Sequence, residues 1–209
     1  AKADPALVST ILAGFSSDDV VGVGGRGIES NVHSLADHWR ALHATQGHGA
    51  QPLQQCEYLF GLCMAYRRSA LFEVGGFSPL FRTNAEDVDA GFRLTAAGGR
   101  LRYDPAALVF HQRQDDETSL LRAMRAWYYW AYIAKAVNRR RPWTLWAGTL
   151  RRSVADPMAD LLLRGDVGLA RLGLRVTATK LAGLRAAVAD WQAGDPGRAL
   201  RPSPSNAQK

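Results

Sequence analysis

The 209 residues suffice for one ordinary domain with an appendage, or for two small domains, and 47% hydrophobic with 22% charged residues is the balance of a soluble globular chain. This composition excludes a collagen-like repeat, a disulfide scaffold and wholesale disorder. The net charge of +7 is unevenly spread: residues 1–117 hold 10 basic and 14 acidic side chains, a net of −4, while residues from Thr118 onward hold 16 and 5, a net of +11.

Asp4-Pro5-Ala6 reads as a helix start, with an acidic N-cap and proline at the first helical position. Leu7, Ile11, Leu12 and Phe15 continue it as an apolar stripe. Val20 to Val23 predicts a short buried strand ended by Gly24-Gly25. Ser30 to Thr45 has helical character, with Leu35, Trp39 and Leu42 on one side, and Gln46 to Gln51 is loop. Leu59 to Tyr66 is the strongest strand candidate, and Arg67 to Val74 is a short helix stopped by Gly75-Gly76. Pro79 to Asn84 is irregular. Glu86 to Ala97 predicts an amphipathic helix closed by Gly98-Gly99, and Arg100 to Tyr103 and Leu108 to Phe110 predict two strands around a turn at Asp104-Pro105. This order points to an α/β fold. From Leu120 the pattern is helical: Leu120 to Val137, Trp143 to Arg152, Met158 to Leu163 and Val167 to Trp191. The segment 196–209 is polar and proline-bearing and is expected to be disordered.

The two cysteines, Cys56 and Cys63, form no CxxC pair and cannot make a zinc cage alone. Cys63 lies in an apolar run, where packing is its natural role. Free thiols fit a reducing, cytoplasmic compartment, and Ala1 to Pro5 shows no signal peptide. His33, His38, His43 and His48 recur every five residues, a spacing of about 140° on a helix, so they share no face and read as surface or loop residues.

Several pieces between Phe60 and His111 stand in a telling order. Gly61-Leu62-Cys63-Met64-Ala65-Tyr66-Arg67-Arg68-Ser69-Ala70-Leu71 is followed by Val74-Gly75-Gly76-Phe77. Then come Asn84-Ala85-Glu86-Asp87-Val88-Asp89-Ala90-Gly91-Phe92-Arg93-Leu94, and finally Gly98, Tyr103, Pro105 and His111. This run resembles the family-two inverting glycosyltransferases. The stretch Ala1 to Gly25 is similar to the segment on the C-terminal side of that family's metal-binding DxD. The resemblance implies the C-terminal, acceptor-side half of a GT-A fold over residues 1–117, then a basic, aromatic-rich helical extension over 118–195. It implies Asp87 as catalytic base and Glu86 as the residue that orients the acceptor or the loop. It also implies an acceptor site at Gly61, Tyr66, Arg67, Gly76 and Phe77, and His111 as a ligand to a divalent metal, Mg or Mn, in the full-length enzyme.

Elementary chemistry agrees with the base. An inverting transfer needs one group to take the proton from the attacking hydroxyl, and a helix N-terminus, with free N–H groups and a positive dipole end, suits a carboxylate for that task. The competing reading is that Glu86 and Asp87 cap a helix and do no chemistry. Asp89 points away from Asp87 and has Arg93 at i+4 for a structural ion pair. For His111 the competing reading is a hydrogen-bonded histidine that closes a strand.

The donor half with its DxD is missing from the sequence, as are a phosphate loop and the QxxRW of processive synthases. The implied activity is transfer of a single sugar from a nucleoside-diphosphate sugar to a lipid or cell-envelope glycan acceptor. The alternative is an inactive, truncated relic that binds a membrane or partner. Trp127, Trp130, Tyr132, Trp143 and Trp146 with Arg139-Arg140-Arg141 suit an anionic membrane surface, and no stretch approaches the roughly 20 apolar residues of a span. The expected location is therefore cytoplasmic and peripheral, on the inner face of the cell membrane. The bland alternative is that these rings pack the helices. No nucleic-acid docking module is present, so nucleic acid is not an expected partner.

Overall fold

The computed structural model describes residues 1–81 and 83–201, in two compact units that divide between Glu117 and Thr118. The first unit is built on strands β1 (Lys2–Ala3), β2 (Val20–Glu29), β3 (Leu53–Cys56), β4 (Met64–Tyr66) and β5 (Arg100–His111). Helices α1 (Leu7–Gly14), α2 (Leu35–His43), α3 (Arg68–Glu73) and α4 (Glu86–Ala96) connect them. The sheet order is β1-β5-β2-β4, with β3 also on β5. β2 and β5 run parallel, and the other pairs are antiparallel.

β2 does not stop at Gly24-Gly25 as the glycine pair suggests; it runs on to Glu29. The glycines serve close approach. A Cβ on Gly25 would lie 2.1 Å from the Ala107 carbonyl oxygen, and one on Gly22 would lie 2.6 Å from the Tyr66 ring. β5 likewise passes through Asp104-Pro105 as one strand. The pairing jumps from Gly24 opposite Tyr103 to Arg26 opposite Leu108, so the extra β5 residues form a bulge. There Asp104 Oδ1 accepts the Ala106 N–H at 2.9 Å.

Of the apolar run Leu59 to Tyr66, only Met64–Tyr66 is strand. Cys63 N–H donates back to the Phe60 carbonyl at 3.0 Å, so the preceding residues form a turn whose apolarity reflects burial rather than extension. One core cluster joins Ile11 of α1 to Val20, Val23, Cys63, Ala107 and Val109. A second joins Leu94 of α4 to Cys56, Leu59, Leu101 and Tyr103. Both thiols are buried and free, and burial pushes Cys56 up to about 12. His48, expected in bare loop, packs against Tyr58, Phe60 and Tyr103 at ring separations of 5.0–5.3 Å.

The second unit contains α5 (Glu117–Val137, whose first residue closes the first unit), α6 (Trp143–Arg164) and α7 (Val167–Gln192). α6 is one helix where the sequence pattern suggests two segments, because Pro157 is accommodated on its buried side. The Tyr129 hydroxyl of α5 donates to Asp190 of α7 at 2.8 Å and accepts the Gly197 N–H. Asp190 also accepts the Ala199 N–H at 2.7 Å, so residues 197–199 of the expected disordered segment are tied down. Residues 202–209 of that segment lie outside the described residues.

Substituting Gly25→Ala should force β2 and β5 apart and cost about 1–3 kcal/mol. The midpoint of urea unfolding should fall accordingly, whereas Gly148→Ala, at an open helical position with ordinary φ, should not lower it.

Candidate active site

The first turn of α4 carries Glu86, Asp87 and Asp89. The residue before it, Ala85, is held in the left-handed region at φ 66°, a conformation costly for a side-chain-bearing residue and common at functional sites. Asp87 turns back to the turn at Phe60–Cys63: Oδ2 accepts the Gly61 N–H at 2.7 Å and Oδ1 accepts the Val88 N–H at 2.8 Å. Burial pushes the Asp87 carboxyl above its ordinary value. The Gly61 and Val88 N–H groups pull it back, and the Glu86 charge adds to the rise. A helix terminus by itself would keep Asp87 readily ionised; here desolvation outweighs it.

Two buried polar atoms lack a partner among the described residues of this region: Glu86 Oε2 and Tyr66 Oη. Burial, then the Asp87 charge, hold the Tyr66 phenol protonated well above its usual range. Tyr66 thus presents an unused O–H near a carboxylate. Unsatisfied buried groups of this kind are where a ligand hydroxyl finds its hydrogen bonds.

The other residues singled out by sequence separate into different tasks. Asp89 and Arg93 form an ion pair at 2.7 Å, and Arg93 Nη1 donates to the Val74 carbonyl at 2.6 Å. That bond anchors the turn at Gly75 (φ 86°) and Gly76 (φ 70°), after which Phe77 is exposed. Arg67 reaches away to the α1–β2 connection, donating to the carbonyls of Val20 at 2.9 Å and Ser17 at 3.2 Å.

His111 ends β5, opposite Glu29 at the end of β2. Its Nδ1 lies 2.9 Å from Glu29 Oε1. A carboxylate only accepts, so Nδ1 carries a proton, and in the neutral ring Nε2 keeps the lone pair a metal would need. Among the described residues no three His, Cys, Asp or Glu side chains converge to hold an ion. His111 therefore fits as one ligand, and the rest of a coordination shell would have to come from elsewhere.

Behind His111 lies a buried network that sequence reading missed. Arg40 of α2 pairs with Glu29 at 2.9 Å, with Asp37 at 3.3 Å and with Asp115, and donates to the Arg113 carbonyl at 2.7 Å. Burial opposes the Arg40 charge, but Glu29 and Asp115 outweigh it and raise its pKa. Burial also works against Asp37, yet the Asp115 N–H and the Ser34 N–H and hydroxyl bring it down to about 2. The i,i+3 spacing of Asp37 and Arg40 was the only local signal; the remaining partners are distant in sequence.

These pieces are spread along β2: Arg67 holds its first residue, Val20, Tyr66 lies opposite Gly22, and His111 stands at its far end beside Glu29. β2 and β5 are parallel and finish at Glu29 and His111, and the Gly61 turn is tied to β2 by the bond from Gly25 N–H to the Cys63 carbonyl, 2.9 Å. Ligands of open α/β sheets bind outside the carboxyl ends of parallel strands. Residues 3–174 match the family model for glycosyl transferase family group 2. The chain belongs to that family. Its α/β sheet followed by helices is that of a GT-A-type glycosyltransferase domain with a helical extension.

Among curated relatives, a pre-mycofactocin glycosyltransferase of Mycobacterium tuberculosis is 33% identical over 148 residues, covering 67% of this chain and 30% of that protein. An N-acetylglucosaminyl-diphospho-decaprenol L-rhamnosyltransferase of the same organism is 35% identical over 91 residues, covering 41% of this chain and 30% of that protein. The chain thus spans less than a third of the length of these family members.

Replacing Arg40 with Met should leave Glu29, Asp37 and Asp115 buried without their common counter-charge and cost about 3–5 kcal/mol. Thermal unfolding of Arg40→Met should show this loss, and Arg93→Met, whose guanidinium is part-exposed, should lose less.

Proposed function

We propose that this family member moves a single sugar, with inversion, from a nucleoside-diphosphate sugar to a lipid-linked or cell-envelope glycan acceptor, with Asp87 as the general base. The observation that carries this reading is the Asp87 carboxylate itself. It is desolvated, fixed by two backbone N–H groups, and accompanied by two buried polar atoms that have no partner among the described residues. A raised pKa brings a carboxylate closer to the matched basicity that proton transfer favours.

In the proposed step an acceptor hydroxyl lies against Asp87, its position set by hydrogen bonds to Tyr66 Oη and Glu86 Oε2. Asp87 takes the proton as the hydroxyl oxygen forms its bond to the anomeric carbon. The bond from that carbon to the diphosphate oxygen breaks, and its electron pair leaves with the nucleoside diphosphate. Gly61 contributes the N–H that orients Asp87, and Phe77, on the turn opened by Gly76, offers an apolar surface to the acceptor. Arg67 supports the site by tying the end of β4 to the backbone before β2. A divalent metal would neutralise charge on the departing diphosphate, and His111 Nε2 would be this chain's donor to it.

The rhamnosyltransferase relative is named for a decaprenyl-diphosphate-linked acceptor. No described helix is long and apolar enough to cross a membrane. On the strength of that acceptor class we propose that the protein works peripherally at the cytoplasmic face of the cell membrane, where an anionic surface presents such acceptors.

In the complete enzyme, Asp87→Asn should lower kcat by ~10²–10⁴-fold; retention of more than about a tenth of the activity would remove Asp87 from this role. The acidic limb of the kcat profile should lie above the ordinary aspartate range of about 3.9, because activity requires the ionised form and burial raises its pKa. Glu86→Gln removes a negative charge that raises Asp87, so it should move this limb to lower pH. An unmoved limb, with kcat measured across pH, would argue that another group titrates.

A further inference from the structure

α6 is built inside out. Its buried positions include Thr149, Pro157 and Asp160, and its companion α7 buries Lys180. Its solvent side carries Trp143, Leu150, Val154, Met158 and Leu161, exposed by 60%, 56%, 66%, 46% and 41%. At about 100° per residue these five fall within one narrow stripe of the helix, about 27 Å long at 1.5 Å per residue. Leu162 widens the exposed apolar surface at the C-terminal end. A helix of a water-soluble fold turns such a stripe inward; one that turns it outward matches an apolar medium.

Charge identifies the medium. Arg139 and Arg141 stand in the turn that leads into Trp143, and Arg151 lies one residue beyond Leu150 at the stripe's edge. All three are exposed, and no carboxylate among the described residues pairs with them. The two carboxylates of α6, Asp156 and Asp160, lie on the side of the helix away from the stripe, and Asp160 is buried beside Arg164. The outward face therefore offers apolar side chains and positive charge with no negative charge. The aromatic residues of α5 do not form such a face: Tyr129 and Trp130 are buried, so of the rings proposed from sequence only Trp143 stands on the exposed stripe.

We infer that α6 lies flat in the headgroup layer of an anionic bilayer, with the Trp143–Leu161 stripe against the acyl chains and Arg139, Arg141 and Arg151 against lipid phosphate. This rests on the peripheral membrane placement proposed for the protein and assigns it to one helix face. Flat, amphipathic helices bind by buried apolar area together with attraction to anionic lipid. The attraction is screened as the Debye length falls from ~10 Å at 0.1 M to ~3 Å at 1 M salt.

The test is co-sedimentation of the full chain with phosphatidylcholine vesicles containing graded phosphatidylglycerol, read together with tryptophan quenching by brominated phosphatidylcholine. Binding should rise with phosphatidylglycerol and fall at high salt. Trp143→Phe should remove the largest share of the quenching, which needs only a conservative change at an exposed site. The pair Val154→Ser and Met158→Ser should weaken binding by about tenfold or more at an unchanged melting temperature. Undiminished binding in that pair, or quenching that survives Trp143→Phe, overturns the assignment to α6. So does an absence of vesicle binding, including the case in which the chain is a dimer that the same pair converts to monomer, since the face would then be a self-interface. Sugar transfer to a water-soluble acceptor analogue, measured with the complete enzyme without vesicles, reads the glycosyltransferase proposal separately. Intact transfer without vesicle binding sinks only the membrane inference, and vesicle binding without transfer sinks only the catalytic one.

Discussion

The parallel pairing of β2 with β5 is the constraint on which the rest of the first unit depends. It needs two backbones and the strand beyond them to approach closely, and Gly22 and Gly25 make that possible by presenting no Cβ to the Tyr66 ring and the Ala107 carbonyl. Once the pair forms, its parallel sense brings Glu29 and His111 to the same end. The same strand β2 holds the Gly61 turn through Gly25, and that turn holds Asp87. Hydrogen bonds from the Gly25 and Gly61 N–H groups thus link the sheet to the carboxylate at the start of α4.

Asp87 sits under opposing forces. Burial favours its protonated form, while two N–H donors favour the charge, and burial prevails. The folded state therefore holds this proton more tightly than the unfolded chain, so the stabilisation is complete below the ordinary aspartate range. It is lost as pH rises through the elevated folded pKa. A charged Asp87 at neutral pH is thus a local cost to folding, of the kind active sites carry in return for reactivity. Ala85 in a left-handed conformation next to it is a second strained feature at the same place. The buried Arg40 network lies behind the other end of the site. It holds Glu29, and through Glu29 the tautomer of His111.

The helical unit follows a different logic. Its interior admits polar groups: Asp190 is satisfied by Tyr129, Ala199 and Arg198, and Lys180, which burial pushes down to about 8, lies over the Tyr128 ring. Its exterior on α6 is apolar and bordered by arginine. Both departures from ordinary patterning occur where the net charge changes sign along the chain, after Glu117.

Local chemistry alone settled a good part of this. The α4 helix was legible because its acidic first turn and Gly98-Gly99 stop are contiguous, and the Asp89–Arg93 pair was legible because i,i+4 spacing on a helix dictates contact. The motif order from Gly61 to His111 carried the family and the candidate base. Tertiary structure decided what depends on partners far along the chain. β2 extends past Gly25 because Ala107 arrives beside it, which no window around residue 25 contains. Arg40 is a buried hub because Glu29 and Asp115 converge on it from 11 and 75 residues away. The outward stripe of α6 was hidden for a related reason: periodicity shows that a helix has two faces, but only packing against its neighbours determines which face meets solvent.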